Sequence, residues 1–197
     1  LKEYNKAFDW DYLLEKALEE MGCRKDRKFY EYYIEDFDKN LIKPRKGVIQ
    51  FLEKLKKEGH ILGVLTNGLM KYQKYILKLT GLNKFFDFII TSDLVGTIKP
   101  FREFFERGID EAEKRGAKEI YFFGDNIYLD VAGALNFGIK NVYWYVERDL
   151  FGEFKLSQFM DDVLERFGKY QIELDFGKIM DKKIFVFNSF EKLVKIF

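Results

Sequence analysis

Five side chains in this sequence stand where they could do chemistry. Asp125 and Asp130 belong to the stretch Tyr121-Phe122-Phe123-Gly124-Asp125-Asn126-Ile127-Tyr128-Leu129-Asp130, an apolar run that stops at Gly-Asp and continues into the small-residue segment Val131-Ala132-Gly133-Ala134. Carboxylates at such a strand-to-helix junction fall in the crevice beyond the strand ends, where open α/β sheets bind their ligands. Thr66 and Asn67 close a second apolar run that starts at Ile61, and Lys99 follows a third, Ile89-Ile90-Thr91-Ser92, within the loop Gly96-Thr97-Ile98-Lys99-Pro100. A hydroxyl, an ammonium and two carboxylates at three strand ends suit a phosphate group beside a hard cation. Lysine offers a point charge to phosphate, a carboxylate is an oxygen ligand for magnesium, and backbone N–H groups after Thr66 could receive phosphoryl oxygens. Each residue also has an ordinary reading. Asp125 could cap the helix that begins near 128, Thr66 could be a β-branched strand residue, and Asn67-Gly68 could be a plain turn.

The elements that would position these residues alternate regularly. Strands are expected at 61–65, 87–91, 119–123 and 141–145, separated by helices from Val48 to Gly59, at 69–79, at 101–115 and at 128–136. Strands alternating with helices of this length imply parallel pairing through right-handed crossovers. Residues 1–43 carry no strand alternation: Phe8, Trp10, Leu13, Leu14, Ala17, Leu18 and Met21 recur at helical steps, and residues 29–38 add an aromatic stripe, so a helical hairpin is the simplest packing. From 146 to 182 the pattern loosens around one helix, Leu156 to Phe167. The segment Lys183–Phe187 reads as an edge strand leading into a short helix.

Composition narrows the function classes. With 34 basic against 33 acidic residues the net charge is +1, so no field draws the chain to nucleic acid or to an acidic membrane. The cluster Arg24-Lys25-Asp26-Arg27-Lys28 reads as a solvated helix start. One cysteine, Cys23, cannot form an internal disulfide, and with the one histidine, His60, it makes neither a metal site nor a Cys/His nucleophile pair. No apolar run approaches ~18 residues, so no transmembrane helix is expected, and no signal peptide is recognisable. A reducing, cytoplasmic location follows as the expectation. Charged residues at 34%, rich in Lys and Glu, fit the ion-pair surface of a thermophile. Aromatics at 18% exceed the needs of strands, and imply either a Phe-rich core or ring packing in a helical cap or between chains.

Taken in chain order, the chemical residues resemble three of the four motifs of the haloacid dehalogenase superfamily, most of whose members are magnesium-dependent phosphatases. Thr66-Asn67 matches the second motif, Lys99 in Ile98-Lys99-Pro100 the third, and Gly124-Asp125-x-x-x-x-Asp130 with its Ala/Gly-rich helix the fourth. The resemblance covers roughly residues 44 to 145. It implies an α/β fold in which a Rossmann-like parallel sheet flanked by helices occupies 44–197, with a small helical cap segment at 1–43 that covers the site and selects the substrate. It also implies roles: Thr66, Lys99 and Asp130 catalytic, Thr66, Asn67 and Lys99 on the substrate phosphate, and Asp125 on Mg2+. The expected activity is hydrolysis of a small phosphomonoester through an aspartyl phosphate.

The family's first motif, a strand ending Asp-x-Asp-x-Thr whose first Asp is the nucleophile, has two partial echoes. Asp9-Trp10-Asp11 has the spacing but opens a helix, where negative charge is favourable in any case. Phe185-Val186-Phe187-Asn188 offers an Asn, which cannot form an acyl phosphate. The motif is therefore expected before Leu1. The alternative is a non-catalytic relative that binds a phosphorylated ligand or a protein partner.

Overall fold

A computed structural model describes residues 6–24, 27–35, 41–164 and 174–197. The far ends of the expected aromatic stripe (36–38) and of the helix to Phe167 (165–167), with Lys25 and Asp26 of the basic cluster, lie outside them. In chain order the elements are α1 (Trp10–Glu20), α2 (Phe29–Glu35), α3 (Val48–Lys57), β1 (Gly63–Thr66), α4 (Met70–Leu79), β2 (Phe88–Thr91), α5 (Arg102–Glu113), β3 (Tyr121–Gly124), α6 (Gly133–Phe137), β4 (Asn141–Tyr145), β5 (Gly152–Lys155), β6 (Lys183–Phe187) and α7 (Phe190–Leu193), joined by shorter helical turns. They form two compact units, Leu1–Pro44 with Leu62–Ile98, and Arg45–Ile61 with Lys99–Phe197.

In the first unit β1 and β2 pair in parallel, with Gly63 opposite Phe88 and Thr66 opposite Thr91. Gly63 carries no side chain because the Phe88 ring occupies the space a Cβ would need. The crossover between them is α4, and its buried Tyr72 is the ring on which the helical hairpin packs. Phe29, Tyr30 and Tyr33 of α2 meet Tyr72 edge-on at centroid distances of 6.2, 5.8 and 5.9 Å, while Trp10 of α1 stacks on Phe29 at 5.4 Å. Asp9 is indeed a helix amino terminus: its carboxylate accepts from the Asp11 N–H and from the Tyr72 hydroxyl. Lys71 then bridges both acids, with Nζ 3.1 Å from Asp9 Oδ1 and 2.6 Å from Asp11 Oδ2. The Asp-x-Asp spacing thus serves to clasp the hairpin to α4.

In the second unit the strand order is β3-β4-β6-β5, with the first three parallel and β5 antiparallel to β6. The expected edge strand Lys183–Phe187 is therefore an inner strand, and β5, unforeseen in the sequence, forms the edge. Inner position explains why Ile184, Val186 and Phe187 are all buried. β5 escaped notice because it is short and half charged: Glu153 pairs with Lys183, and Lys155 with Asp181. Charges of this kind also keep an edge from pairing with other chains.

The aromatic surplus goes to both places foreseen for it within one chain, the hairpin of the first unit and the core of the second. Consecutive strand residues face opposite sides, so Phe122 meets Phe105 of α5 at 5.5 Å while Phe123 meets Phe51 of α3 at 5.7 Å. Helices accordingly cover both faces of the sheet, the arrangement expected for strands that are apolar throughout. Phe105 is fully buried, and Phe137 stacks on its other side at 6.0 Å.

Two outcomes follow from this packing. Phe105→Ala removes a ring enclosed on all sides and is expected to cost about 3–5 kcal/mol, read from the urea midpoint, whereas Trp10→Ala, at a side chain that is 54% exposed, should cost far less. Burial pulls the Lys71 pKa down, but its hydrogen bonds with Asp11, Tyr72 and Asp9 together outweigh that and hold it above the ordinary lysine value. A raised pKa gives stability that is complete below the unfolded pKa and is lost only as pH climbs through the folded one. Solvent screens this partly exposed group, so Lys71→Met should cost about 1 kcal/mol. In a pH series of denaturation curves, the gap to wild type should stay level from neutral pH to about 10 and close only above.

Candidate active site

The loop after β3 is built around one close approach. Strand β3 ends at Gly124 because a Cβ there would overlap the side chain of Asp130, which folds back under the strand end. Asn126 then turns the chain into a helix: its Oδ1 accepts from the N–H groups of Tyr128 and Leu129 at 3.0 and 2.9 Å. The helix opens with a π-type turn, Ile127–Ala132, before α6. Gly133 completes the packing, since a Cβ there would lie 2.7 Å from Pro100 and 3.0 Å from Phe105.

Asp130 is buried and makes two strong contacts. Oδ2 accepts from the Asn126 N–H at 3.0 Å, and Oδ1 accepts from Lys99 Nζ at 2.6 Å. Lys99 is itself 9% exposed. A buried ammonium with a buried carboxylate is tolerable only as a pair with further hydrogen bonds, and this pair ties the Lys99 loop to the loop after β3. Asp130 thus holds the lysine.

Asn126, which the sequence reading passed over, takes the capping role considered for Asp125. Its signal was available, since Asn is among the best N-cap residues. Asp125 is consequently left open. The carboxylate is exposed and has no hydrogen-bond or ion-pair partner among the described residues, and only its backbone carbonyl is engaged, accepting from Trp144 Nε1 at 3.1 Å. It borders an open depression of about 350 Å³ whose walls include Arg45, Trp144, Arg148 and Asp162. Both arginines are paired, Arg45 with Glu147 at 2.9 Å and Arg148 with Asp162 at 2.8 Å. No spacing in the sequence signals them, because β4 and the residues before α3 meet only in the fold.

The expected phosphate-binding residues divide between the two units. Lys99, Asp125 and Asp130 belong to the second, Thr66 and Asn67 to the first. Thr66 is the last residue of β1, and Thr66 and Asn67 are both half-buried, directly ahead of the turn into α4.

Among the described residues no three His, Cys, Asp or Glu side chains cluster as a ready chelating site. A single open carboxylate nevertheless fits magnesium, which keeps several waters and is commonly bound through one or two carboxylates plus substrate phosphate. Among the same residues no helix is long and apolar enough to cross a membrane.

Comparison with known proteins gives the family. The profile of the haloacid dehalogenase-like hydrolases matches residues 7–144. Glyceraldehyde 3-phosphate phosphatase of Pyrococcus furiosus is 36% identical over 109 residues, which are 53% of this chain and 45% of that enzyme. The chain spans about half the length of the curated relatives it matches. The crystal structure of HAD phosphatase from Thermococcus onnurineus superposes with a TM-score of 0.63 at 26% identity, covering 95% of this chain and 72% of that one. YfnB of Bacillus subtilis, solved bound to magnesium, shares the fold with a TM-score of 0.56 at 22% identity, over 75% of this chain and 70% of that one. A profile match that runs from the first helix to β4 takes in every motif residue, and the chain belongs to the haloacid dehalogenase-like hydrolase family.

Proposed function

We propose that this chain carries the phosphate- and metal-binding part of a magnesium-dependent phosphatase acting on a small phosphomonoester through an aspartyl phosphate. The observation that carries the reading is the contrast between two aspartates five residues apart, Asp130 buried on Lys99 and Asp125 open at the end of β3. A helix cap or a core ion pair would need only one of them. Phosphatase names among the relatives support the reaction class.

Phosphoryl transfer asks for charge neutralisation and positioning more than for covalent chemistry by many groups. Thr66 offers its hydroxyl, and the N–H groups after it, to phosphoryl oxygens, with Asn67 beside it. Lys99 supplies positive charge whose direction Asp130 sets. Asp125 would hold magnesium, which when bound supplies further neutralisation of the phosphoryl charge. In the reaction a carboxylate oxygen attacks phosphorus, the ester P–O bond breaks, the leaving oxygen takes a proton, and water then hydrolyses the acyl phosphate. The attacking carboxylate belongs to the family's first motif. Asp9 and Asp11 do not supply it, since both are engaged with Lys71. That engagement is what favours the second reading, a non-catalytic relative that binds a phosphorylated ligand or a protein partner.

Asp125→Asn, compared with wild type in protein that carries the first-motif carboxylate, distinguishes the two. Because the carboxylate is exposed and makes no hydrogen bond or ion pair among the described residues, the melting temperature should move little, while magnesium-dependent release of inorganic phosphate should fall about a hundredfold or more, equivalent to ~3 kcal/mol. Release that is unchanged in the variant, or no release by wild type at any magnesium concentration, would sink the catalytic reading. Lys99→Met should behave differently. Leaving Asp130 buried and unpaired is expected to cost about 3–5 kcal/mol of stability in addition to activity, as chemical denaturation would show.

A further inference from the structure

The residues just past β2 hold the chain just past β1, and they do so through an arrangement that packing alone does not require. Ser92 is fully buried, and it spends both of its donors on one acceptor: its N–H and its Oγ lie 3.1 and 2.9 Å from the carbonyl oxygen of Gly68. The neighbouring Asp93 accepts at Oδ1 from the N–H of Met70 at 3.1 Å and from the hydroxyl of the buried Thr91 at 2.6 Å. Helix α4 has no capping side chain of its own, because Leu69 stands at its N-cap. Asp93 therefore caps it from the neighbouring strand end, and Thr91 orients the carboxylate that does so. Gly68 also has a neighbour that limits it, as a Cβ there would lie 2.6 Å from Gln73 Nε2.

These contacts fix two peptide units in succession, Gly68-Leu69 through its carbonyl and Leu69-Met70 through its N–H. Thr66 and Asn67 lie immediately upstream, anchored on their other side by the parallel pairing of Thr66 with Thr91. A three-residue turn held at both ends has little freedom left in its N–H directions, which is what binding a phosphoryl group by pre-aimed donors requires. We propose that Thr91-Ser92-Asp93 is a positioning clamp that aims the Thr66-Asn67 turn at the phosphoryl group of the substrate. Ser92 acts through the Gly68 carbonyl and Asp93 through α4, and neither touches the substrate. The assignment rests on the phosphate-binding reading of Thr66 given above.

The test compares Ser92→Ala, Asp93→Ala and Asp93→Asn with wild type in protein that carries the first-motif carboxylate, using p-nitrophenyl phosphate turnover and the rise in melting temperature with inorganic phosphate. The clamp predicts that Ser92→Ala and Asp93→Ala raise KM and weaken phosphate binding by a common factor of about five to ten, the scale of one lost hydrogen bond, with kcat changed much less. Asp93→Asn, which keeps the acceptor oxygen, should stay near wild type. If wild type responds to phosphate and the alanine variants respond equally, at whatever intrinsic melting temperature, the clamp is refuted and the phosphate site stands. If wild type shows neither turnover nor a phosphate-dependent shift, the phosphate-binding reading falls and the clamp falls with it.

Discussion

A lysine ammonium and an aspartate carboxylate, 2.6 Å apart and both nearly out of contact with water, set the terms for the loops of the second unit. Neither charge could be buried alone, because desolvating one ion costs several kcal/mol. The backbone is shaped to keep them together. Gly124 lacks a side chain so that Asp130 can lie beneath the strand end, the Asn126 N–H takes the second carboxylate oxygen, and the helix starts with a π-type turn that brings residue 130 back under residue 124. Asp125 is open as a by-product of the same constraint: with Asn126 capping and Asp130 pairing, nothing in the loop remains to engage it.

The two units solve the same problem with different materials. In the second, the parallel strands are apolar on both sides and rings from adjacent residues reach opposite layers of helix, so burial of large area stabilises the sheet. In the first, only two strands pair among the described residues, and much of the order comes from polar groups. Lys71 joins Asp9 to Asp11, Asp87 accepts from the Leu62 N–H, and Asp93 and Ser92 fasten the turn after β1. Such contacts are directional where apolar burial is not.

Relatives within this family bear different substrate names while sharing the fold, and a fold common to phosphatases and dehalogenases does not select among their reactions. The discriminating chemistry sits in side chains. A carboxylate open at the end of β3 is of the kind that oxygen-seeking metal ions take as a ligand.

Much of the architecture was legible in the sequence because its cause is local. Apolar runs ending at Gly-Asp or Thr-Asn, helices bounded by glycine, and the Asp9 start of α1 are each decided by a few neighbouring residues, and the motif spacing carried the family. What the sequence left open depended on partners distant along the chain. Whether Lys183–Phe187 was an edge or an inner strand turned on Gly152–Lys155, a segment too short and too charged to announce itself. The motif resemblance assigned Asp125 and Asp130 different roles, but that Asp130 is buried on Lys99, thirty-one positions away, while Asp125 is exposed is seen only in the fold. Periodicity and spacing determine which elements form and which residues stand at their ends. Only tertiary structure decides which charge is buried and paired and which is left free, because that choice follows from desolvation, and desolvation depends on everything that packs around the group.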